Sequence, residues 1–237
     1  MIKVIKPSEY FEIVKEYWIE RAKFSVDQTG RFDVALSGGS TPKRLYQELA
    51  KDKRLSRKDW RHIHLWFGDE RAVPPDSGES NYRMAKEALF DHVELGGAHR
   101  IESEREPLEA AKHYSNELSL LMKNSSGRPI FDLVMLGLGE DGHIASLFPN
   151  SDNLKEKLRH VSASYVESVD SWRISLTMPV ILAARELVVL VTGDNKAEIL
   201  KAILLDEEAN YPASEIREKN NVVWFLDTSA AKCIGRR

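Results

Sequence analysis

The stretch that decides the fold reads Phe32-Asp33-Val34-Ala35-Leu36-Ser37-Gly38-Gly39-Ser40-Thr41-Pro42. Its first five residues form a short, largely apolar run typical of a buried strand, and two glycines and three hydroxyl residues follow. Leu45, Tyr46 and Leu49 then recur at helical spacing. The stretch therefore predicts a strand, a glycine loop and a helix. Pro42 is expected as the first helical residue, since proline is favoured at that position.

The same order of elements recurs along the chain without a repeated sequence. Apolar runs predict further strands at residues 63–67, 131–136, 187–191 and 222–226. Amphipathic spacing predicts helices over 11–26, closed by Gly30, near 80–89 and from 196 to 205, with a helix of about two turns between His143 and Pro149. Near-continuous apolar strands that alternate with helices are typical of a parallel sheet covered on both faces. We therefore expect an α/β fold of three layers, Rossmann-like, with a mostly parallel sheet and helices on both faces.

The length of the chain agrees with one such unit. Its 237 residues lie between one and two times the roughly 150 residues of a typical domain. The short polar joint Asn124-Ser125-Ser126-Gly127 is too short to divide the chain into separate units. We expect a single α/β domain over residues 1–237.

The composition excludes several classes of protein. The 34 Lys and Arg residues against 37 Asp and Glu give a net charge of -3, without the overall basic field that non-specific nucleic-acid or membrane-surface binding needs. The most apolar neighbourhood, residues 179–191, is interrupted by Arg185 and Glu186, and the polar N-terminus does not resemble a signal peptide. The one cysteine, Cys233, excludes an internal disulfide framework and a Cys-cluster zinc site. We expect a cytoplasmic protein, a monomer or small homo-oligomer, with neither nucleic acid nor membrane as partner.

Four polar loops follow predicted strands, at residues 37–42, 68–71, 137–143 and 193–196. Because ligands of parallel sheets bind at the carboxyl ends of the strands, we expect these loops to meet in one crevice. The first loop ends in a helix start with free N–H groups, which suits a phosphate dianion. The alternative is a tight turn with Thr41 as N-cap. No Gly-Lys-Ser/Thr follows, so the loop is not that of a P-loop NTPase.

The loop at 137–142 matches the pattern G-x-G-x-x-G, which on its own predicts a dinucleotide site. Glu140 and Asp141 would place carboxylates where a pyrophosphate must lie, and Pro149 leaves too short a helix for an ordinary crossover. We favour a loop that presents Asp141 and His143 to the crevice, with His143 as general base because an imidazole titrates near neutral pH. The alternative is a hydrogen-bonded structural histidine.

Three cations and one further carboxylate complete the set of candidates. Asp69 offers proton transfer and Arg71 a charge for an anionic group or oxyanion, whereas a solvated charged turn is the plain alternative. Arg173 lies opposite Ile174 in an extended segment, and Lys196 opens a helix. Arg173 and Lys196 would complete a phosphate clamp without a metal, unless they are ordinary surface cations. His62 and His64 alternate on a strand, but with no third ligand nearby we expect no metal site.

Together these motifs resemble the 6-phosphogluconolactonase family, which is related to the glucosamine-6-phosphate deaminases. Residues 37–42 resemble the family's phosphate loop, 68–71 with 80–82 its second motif, and 137–143 with 146–149 its signature. The resemblance implies hydrolysis of 6-phospho-D-glucono-1,5-lactone, a phosphosugar lactone, in the oxidative pentose phosphate pathway, without a cofactor or metal. It implies His143 as general base, Asp141 and Asp69 as polar partners, and a phosphate site that consists of Ser37, Gly38, Gly39, Ser40, Thr41, Arg173 and Lys196.

Two other functions stay open on the sequence. The deaminases continue the Gly-His signature with Phe-Asn-Glu-Pro, whereas this chain has Ser146-Leu147-Phe148-Pro149. Phe148 cannot exchange a proton, which favours a lactonase over a sugar-phosphate isomerase or a glucosamine-6-phosphate deaminase. A non-catalytic sugar-phosphate-binding module is the second alternative. Ser146 has no G-x-S-x-G elbow around it, so a serine hydrolase is not expected.

Overall fold

The computed structural model describes residues 1–122 and 127–235. Its strands are β1 (Ile2–Ile5), β2 (Phe32–Leu36), β3 (Ile63–Phe67), β4 (Asp69–Arg71), β5 (Gly97–Ala98), β6 (Leu133–Gly137), β7 (Val161–Val166), β8 (Ser171–Leu176), β9 (Glu186–Val191) and β10 (Val222–Asp227). Its α-helices are α1 (Tyr10–Thr29), α2 (Ser40–Lys51), α3 (Arg57–Trp60), α4 (Asn81–Ala88), α5 (Pro107–Leu121), α6 (Asp152–Lys155), α7 (Met178–Ala183) and α8 (Ala197–Leu205). Short 3₁₀ turns cover Phe90–His92, Glu167–Val169, Asp194–Lys196, Pro212–Ile216 and Ala230–Cys233. Residues 124–126 of the predicted polar joint lie outside the described residues.

Seven strands form one sheet in the order β1-β10-β9-β6-β2-β3-β5, and every neighbouring pair in it is parallel. This confirms the expected α/β fold with a parallel sheet flanked by helices. From β2 the chain continues outward to β3 and β5, and from β6 it continues in the opposite direction to β9 and β10. The strand order therefore reverses between β2 and β6, which is where sheets of this kind bind ligands.

The interior strands are apolar because both of their faces are covered. All six residues of β10 are buried, as are five of the six in β9. Buried side chains from β1, β2, β3, β6, β9 and β10 and from α1, α2, α5 and α8 form one connected hydrophobic cluster. One shared core supports the prediction that residues 1–237 form a single domain. In the described part of the chain, no helix is long and apolar enough to span a membrane.

Two helices show how well local signals place helix ends. As predicted, α1 ends at Gly30, whose φ of 77° is left-handed and whose N–H donates to the Val26 carbonyl. Helix α2 begins two residues earlier than predicted, at Ser40, so both Pro42 as first residue and Thr41 as N-cap are wrong. The reason is Gly39, which takes the N-cap position with a φ of 101° that a side chain would disfavour. Pro42 then occupies the first turn, where an N–H is not yet needed.

A second, smaller sheet has the order β4-β8-β7 and is antiparallel. Strand β8 agrees with the extended segment expected around Arg173, whereas the three residues of β4 had been interpreted as loop. Arg71 and Arg173 are direct register partners across β4 and β8.

The short helix predicted between His143 and Pro149 is wrong. Gly142 and Ala145 adopt left-handed φ values of 79° and 49°, and Ile144 forms an isolated bridge with Leu147. Two left-handed residues within four positions prevent a right-handed helix. The segment is therefore a tight irregular turn.

His64 on β3 is a half-buried histidine that contacts a second histidine. Its Nδ1 lies 3.2 Å from Nε2 of His99, whose Nδ1 lies 2.8 Å from a carboxylate oxygen of Glu117. The pKa of His64 is lowered from 6.5 to about 4, first by burial and then by the charge of Arg31, while Asp33 opposes the shift. The neutral imidazole is thus the form that the folded protein favours.

We predict that the stability contributed by neutral His64 is complete above pH 6.5 and is lost as the pH falls toward 4. Unfolding restores the ordinary pKa, so the unfolded chain takes up a proton in this interval. His64→Gln should reduce the decrease in Tm between pH 7 and 4.5, measured by thermal denaturation. His92→Gln, at an exposed position, is the matched control. Equal pH dependence in the wild type and His64→Gln would contradict the prediction.

Candidate active site

A cavity of about 280 Å³ lies at the carboxyl ends of β2 and β6. All four predicted loops contribute to its lining: Ser37, Gly38 and Gly39 from the first, Asp69 and Arg71 from the second, Gly137, Leu138, Gly139 and His143 from the third, and Lys196 from the fourth. Arg173 of β8 and Asn81 of α4 also line it. The expected meeting of the four loops in one crevice is therefore present in the structure.

His143 and Asp141 form a close pair. Nδ1 of His143 lies 2.6 Å from Oδ1 of Asp141, and the His143 backbone N–H donates to the same oxygen at 3.2 Å. An ionised carboxylate only accepts, so Nδ1 carries the proton and Nε2 keeps a free lone pair. Asp141 does not line the cavity itself and reaches it through His143. The arrangement leaves Nε2 able to accept a proton.

The imidazole of His143 is packed on two sides. The Phe148 ring stacks on it with centroids 4.1 Å apart and an interplanar angle of 27°. Close to the ring lies Gly139, where an added Cβ would come within 2.1 Å of Nδ1 and 2.6 Å of Asp141 Oδ1. Sequence reasoning treated Phe148 only as the absence of an acid and missed this contact. Phe148 and Gly139 together restrict the orientation of the His143 imidazole.

The Asp69 carboxylate lies in the cavity wall and is 7 % exposed. Ser146 Oγ donates to its Oδ2 at 2.6 Å, and Asn81 Nδ2 donates to its backbone carbonyl at 2.9 Å. The hydroxyl proton of Ser146 is therefore directed to a carboxylate and not to His143. Ser146 helps to fix Asp69, a contact that the sequence did not indicate.

Arg71 and Arg173 place two like charges side by side. Arg71 Nη1 donates to the Glu79 carbonyl and to Asn81 Oδ1, both at 2.7 Å. Nε of Arg173 is buried without a partner, and burial together with Arg71 lowers the pKa of Arg173. Within residues 1–122 and 127–235, neither guanidinium forms an ion pair. Two cations without an ion-pair partner at one point in the wall are an arrangement that favours an anionic ligand.

The remaining phosphate-site residues are divided between the cavity and its surroundings. Lys196 lines the cavity with its Nζ 3.8 Å from a carboxylate oxygen of Glu140, to which Asn195 also donates at 2.6 Å. Thr41 Oγ1 lies 2.7 Å from Thr192 Oγ1, and Ser40 lines an adjoining cavity of about 340 Å³. Of the first loop, Ser37, Gly38 and Gly39 thus reach the main cavity, and Ser40 and Thr41 support it from outside.

The alternating histidines have separate partners. A ring nitrogen of His62 lies 2.9 Å from the Gly30 carbonyl, whereas His64 contacts His99. Across the described ranges, no group of three or more His, Cys, Asp and Glu residues is placed to hold a metal ion. The cavity wall presents hydroxyls, N–H groups, cations, one imidazole and the carboxylate of Asp69.

The fold and the site define an α/β protein that binds a small phosphorylated molecule and presents a proton acceptor to it. The glycine loop after β2 lies at the point where the strand order reverses, and Arg71, Arg173 and the imidazole of His143 line the same cavity. A phosphorylated substrate held by the cations would therefore also contact the proton acceptor.

A sequence profile of the family described as "Glucosamine-6-phosphate isomerases/6-phosphogluconolactonase" matches residues 6–224, and the chain belongs to this family. It is 42% identical over 206 residues to a 6-phosphogluconolactonase of Haemophilus influenzae, covering 85% of this chain and 87% of that one. It is 36% identical over 234 residues to a 6-phosphogluconolactonase of Synechocystis, covering 93% and 95%. Among solved structures, 6-phosphogluconolactonase from Trypanosoma brucei aligns with a TM-score of 0.89 and 31% identity, covering 99% and 98%.

Gly139→Ala tests how His143 is held. The added methyl group would overlap with the imidazole and with Asp141, so one of them must move. We expect the turnover number to fall about 100-fold, because a displaced His143 imidazole no longer reaches the proton that it would accept. Gly78→Ala is the matched control, since a Cβ there meets nothing within 4 Å. Full activity in a folded Gly139→Ala protein would show that the close approach is not required.

Proposed function

We propose that this chain hydrolyses 6-phosphogluconolactone, the activity named for its relatives, with His143 as the general base. One observation carries the assignment: His143, whose Nδ1 is held by Asp141, lines the same cavity as Arg71 and Arg173, which are register partners. A phosphorylated lactone needs a proton acceptor at its carbonyl and cations at its phosphate. The cavity offers both.

The reaction proceeds through attack of water on the lactone carbonyl carbon. Nε2 of His143 removes a proton from this water, while Asp141 holds Nδ1–H and stabilises the resulting imidazolium. The C1–O bond to the ring oxygen then breaks, and the imidazolium returns its proton to that oxygen. The products are a carboxylic acid and a free hydroxyl group, and no covalent intermediate with the protein is formed.

Arg71, Arg173 and Lys196 form the phosphate clamp together with Ser37, Gly38 and Gly39. A phosphate dianion carries two charges and suits two adjacent guanidinium groups, whereas a single developing oxyanion would leave one of them unbalanced. We therefore assign Arg71 to the phosphate and the oxyanion to backbone N–H groups of the glycine loops. Because the phosphate is remote from the bond that breaks, the clamp acts by orienting the carbonyl toward the water.

Glucosamine-6-phosphate isomerase is the other activity in the description of the family, and the related deaminase is the alternative that the sequence left open. At the position where the deaminase signature has a glutamate, this chain has Phe148, whose ring is 6 % exposed and stacked on His143. A phenyl ring cannot transfer the proton that sugar ring opening requires. A coupled assay should detect no ammonia release from glucosamine 6-phosphate.

We also propose that the protein acts in the cytoplasm, because its single cysteine suits a reducing compartment. The phosphosugar lactone is the partner that the cavity supports. A monomer or small homo-oligomer stays a prediction.

His143→Ala should lower the rate of lactone hydrolysis by about 10² to 10⁴ without loss of the fold, because the base is removed. The measurement is a stopped assay of 6-phosphogluconolactone against its spontaneous hydrolysis in buffer. His113→Ala, which removes an exposed imidazole, is the control. A wild-type rate equal to that of buffer would overturn the proposed function, and unchanged turnover in folded His143→Ala would remove His143 from its role.

Arg173→Ala should raise the KM for phosphogluconolactone about tenfold or more and leave unphosphorylated gluconolactone much less affected. The physical reason is the loss of one of two cations at the phosphate. Arg159→Ala, at an exposed position next to β7, is the control. Steady-state kinetics with both lactones distinguish the outcomes, and equal effects on the two substrates would refute the clamp.

A further inference from the structure

Glu70 is a buried carboxylate that has no part in the chemistry described above. It is 1 % exposed and accepts hydrogen bonds from the backbone N–H groups of Arg71, Asn81 and Tyr82, at 2.9, 2.7 and 2.8 Å. The Ser80 hydroxyl donates to it as well, at 3.0 Å. Burial raises the pKa of Glu70, and the three N–H bonds oppose that shift. The carboxylate thus joins the end of β4 to the first turn of α4 across the intervening loop.

Asn81, the first residue of α4, connects this junction to the cavity. It is 2 % exposed, and its Oδ1 accepts from Arg71 Nη1 at 2.7 Å while its Nδ2 donates to the Asp69 carbonyl at 2.9 Å. The amide also lies against Gly38, where an added Cβ would come within 2.0 Å of Oδ1. One side chain therefore contacts the phosphate loop, the Asp69 strand and the Arg71 guanidinium.

We propose that Glu70 is a positioning residue that fixes Asn81, and that Asn81 holds the Arg71 guanidinium in the phosphate clamp. The inference rests on the proposed function, in which Arg71 binds the phosphate. It explains why the buried acid does not pair with the arginine directly. A carboxylate paired with Arg71 would cancel the charge that the phosphate needs. The amide oxygen of Asn81 and the backbone carbonyl oxygen of Glu79 are neutral, so they orient the guanidinium and leave its charge free.

The arrangement also resists the repulsion between the two arginines. Arg71 and Arg173 are cross-strand partners, and like charges at directly opposed positions are destabilising. Without a fixed acceptor, the Arg71 side chain would rotate away from Arg173 in the empty site. Glu70 prevents this rotation indirectly. It holds the first turn of α4, and that turn carries Asn81, the acceptor of Arg71.

Glu70→Gln is the primary test. The glutamine has one oxygen and one NH₂ group, so at least one backbone N–H of the junction faces another donor. We expect the Kd for 6-phosphogluconate, measured by titration calorimetry, to rise about tenfold. The KM for the lactone should rise by a similar factor, with kcat within about twofold of the wild type.

A double-mutant cycle with Arg71→Ala shows whether Glu70 acts through Arg71. In the Arg71→Ala background, Glu70→Gln should change the Kd by less than about twofold, because the guanidinium it positions is gone. Asp132→Asn is the control: Asp132 is a half-buried acid, remote from the cavity, that accepts the Asp33 N–H at 2.8 Å and pairs with Arg185, and burial raises its pKa. It should lower Tm and leave the Kd unchanged.

Three results would overturn the proposal: an unchanged Kd in folded Glu70→Gln, fully additive effects in the cycle, or an equal rise in Kd in Asp132→Asn. If Glu70→Gln does not fold, Asn81→Ala decides the question. It keeps the backbone N–H that Glu70 accepts and removes the acceptor of Arg71, so an unchanged Kd there refutes the proposal. Because binding of 6-phosphogluconate needs no turnover, failure of lactone hydrolysis in the wild type is detected separately.

Discussion

The reversal of strand order between β2 and β6 is the constraint on which the site depends. The two strands are parallel neighbours, with Val34 opposite Leu133, but their connections leave in opposite directions. The loops that follow β2 and β6 therefore diverge and leave a crevice between them. The glycine loop that ends in α2 forms one wall of this crevice, and the loop that carries His143 forms the other.

Charge in the crevice is kept unbalanced by the choice of partners around it. Arg71 donates to an amide oxygen and a backbone carbonyl, and Arg173 Nε has no partner. The acids next to these cations are occupied elsewhere: Asp69 accepts from Ser146, and Glu70 accepts from backbone N–H groups. A net charge of -3 for the whole chain therefore coexists with a local excess of positive charge. This excess of positive charge supports the phosphorylated substrate proposed above.

The sequence was informative wherever one local signal decides the structure. Five apolar runs identified five strands of the large sheet, and Gly30 marked the end of α1. Strand β4 was missed because three charged residues carry no periodic pattern, and pairing with β8 alone makes them a strand. The start of α2 was misplaced because the backbone angle of Gly39 outweighed the preference of Pro42. Local patterns also could not show that Phe148 stacks on His143 or that Asn81 contacts Arg71, since both contacts depend on tertiary packing.

The two sheets contribute different groups to the cavity, and the order of the elements along the sequence does not show this. The large parallel sheet supplies backbone groups and the imidazole through loops, whose positions depend on glycines such as Gly139 and Gly142. The small antiparallel sheet supplies both arginines from paired strands, so their spacing is set by a ladder of backbone hydrogen bonds. Backbone pairing does not fix the conformation of a long flexible side chain, however. In our proposal, Arg71 therefore needs the first turn of α4, which Glu70 holds in place. In the proposed function, binding geometry therefore depends on the small sheet and α4, and turnover depends on the irregular turn around His143.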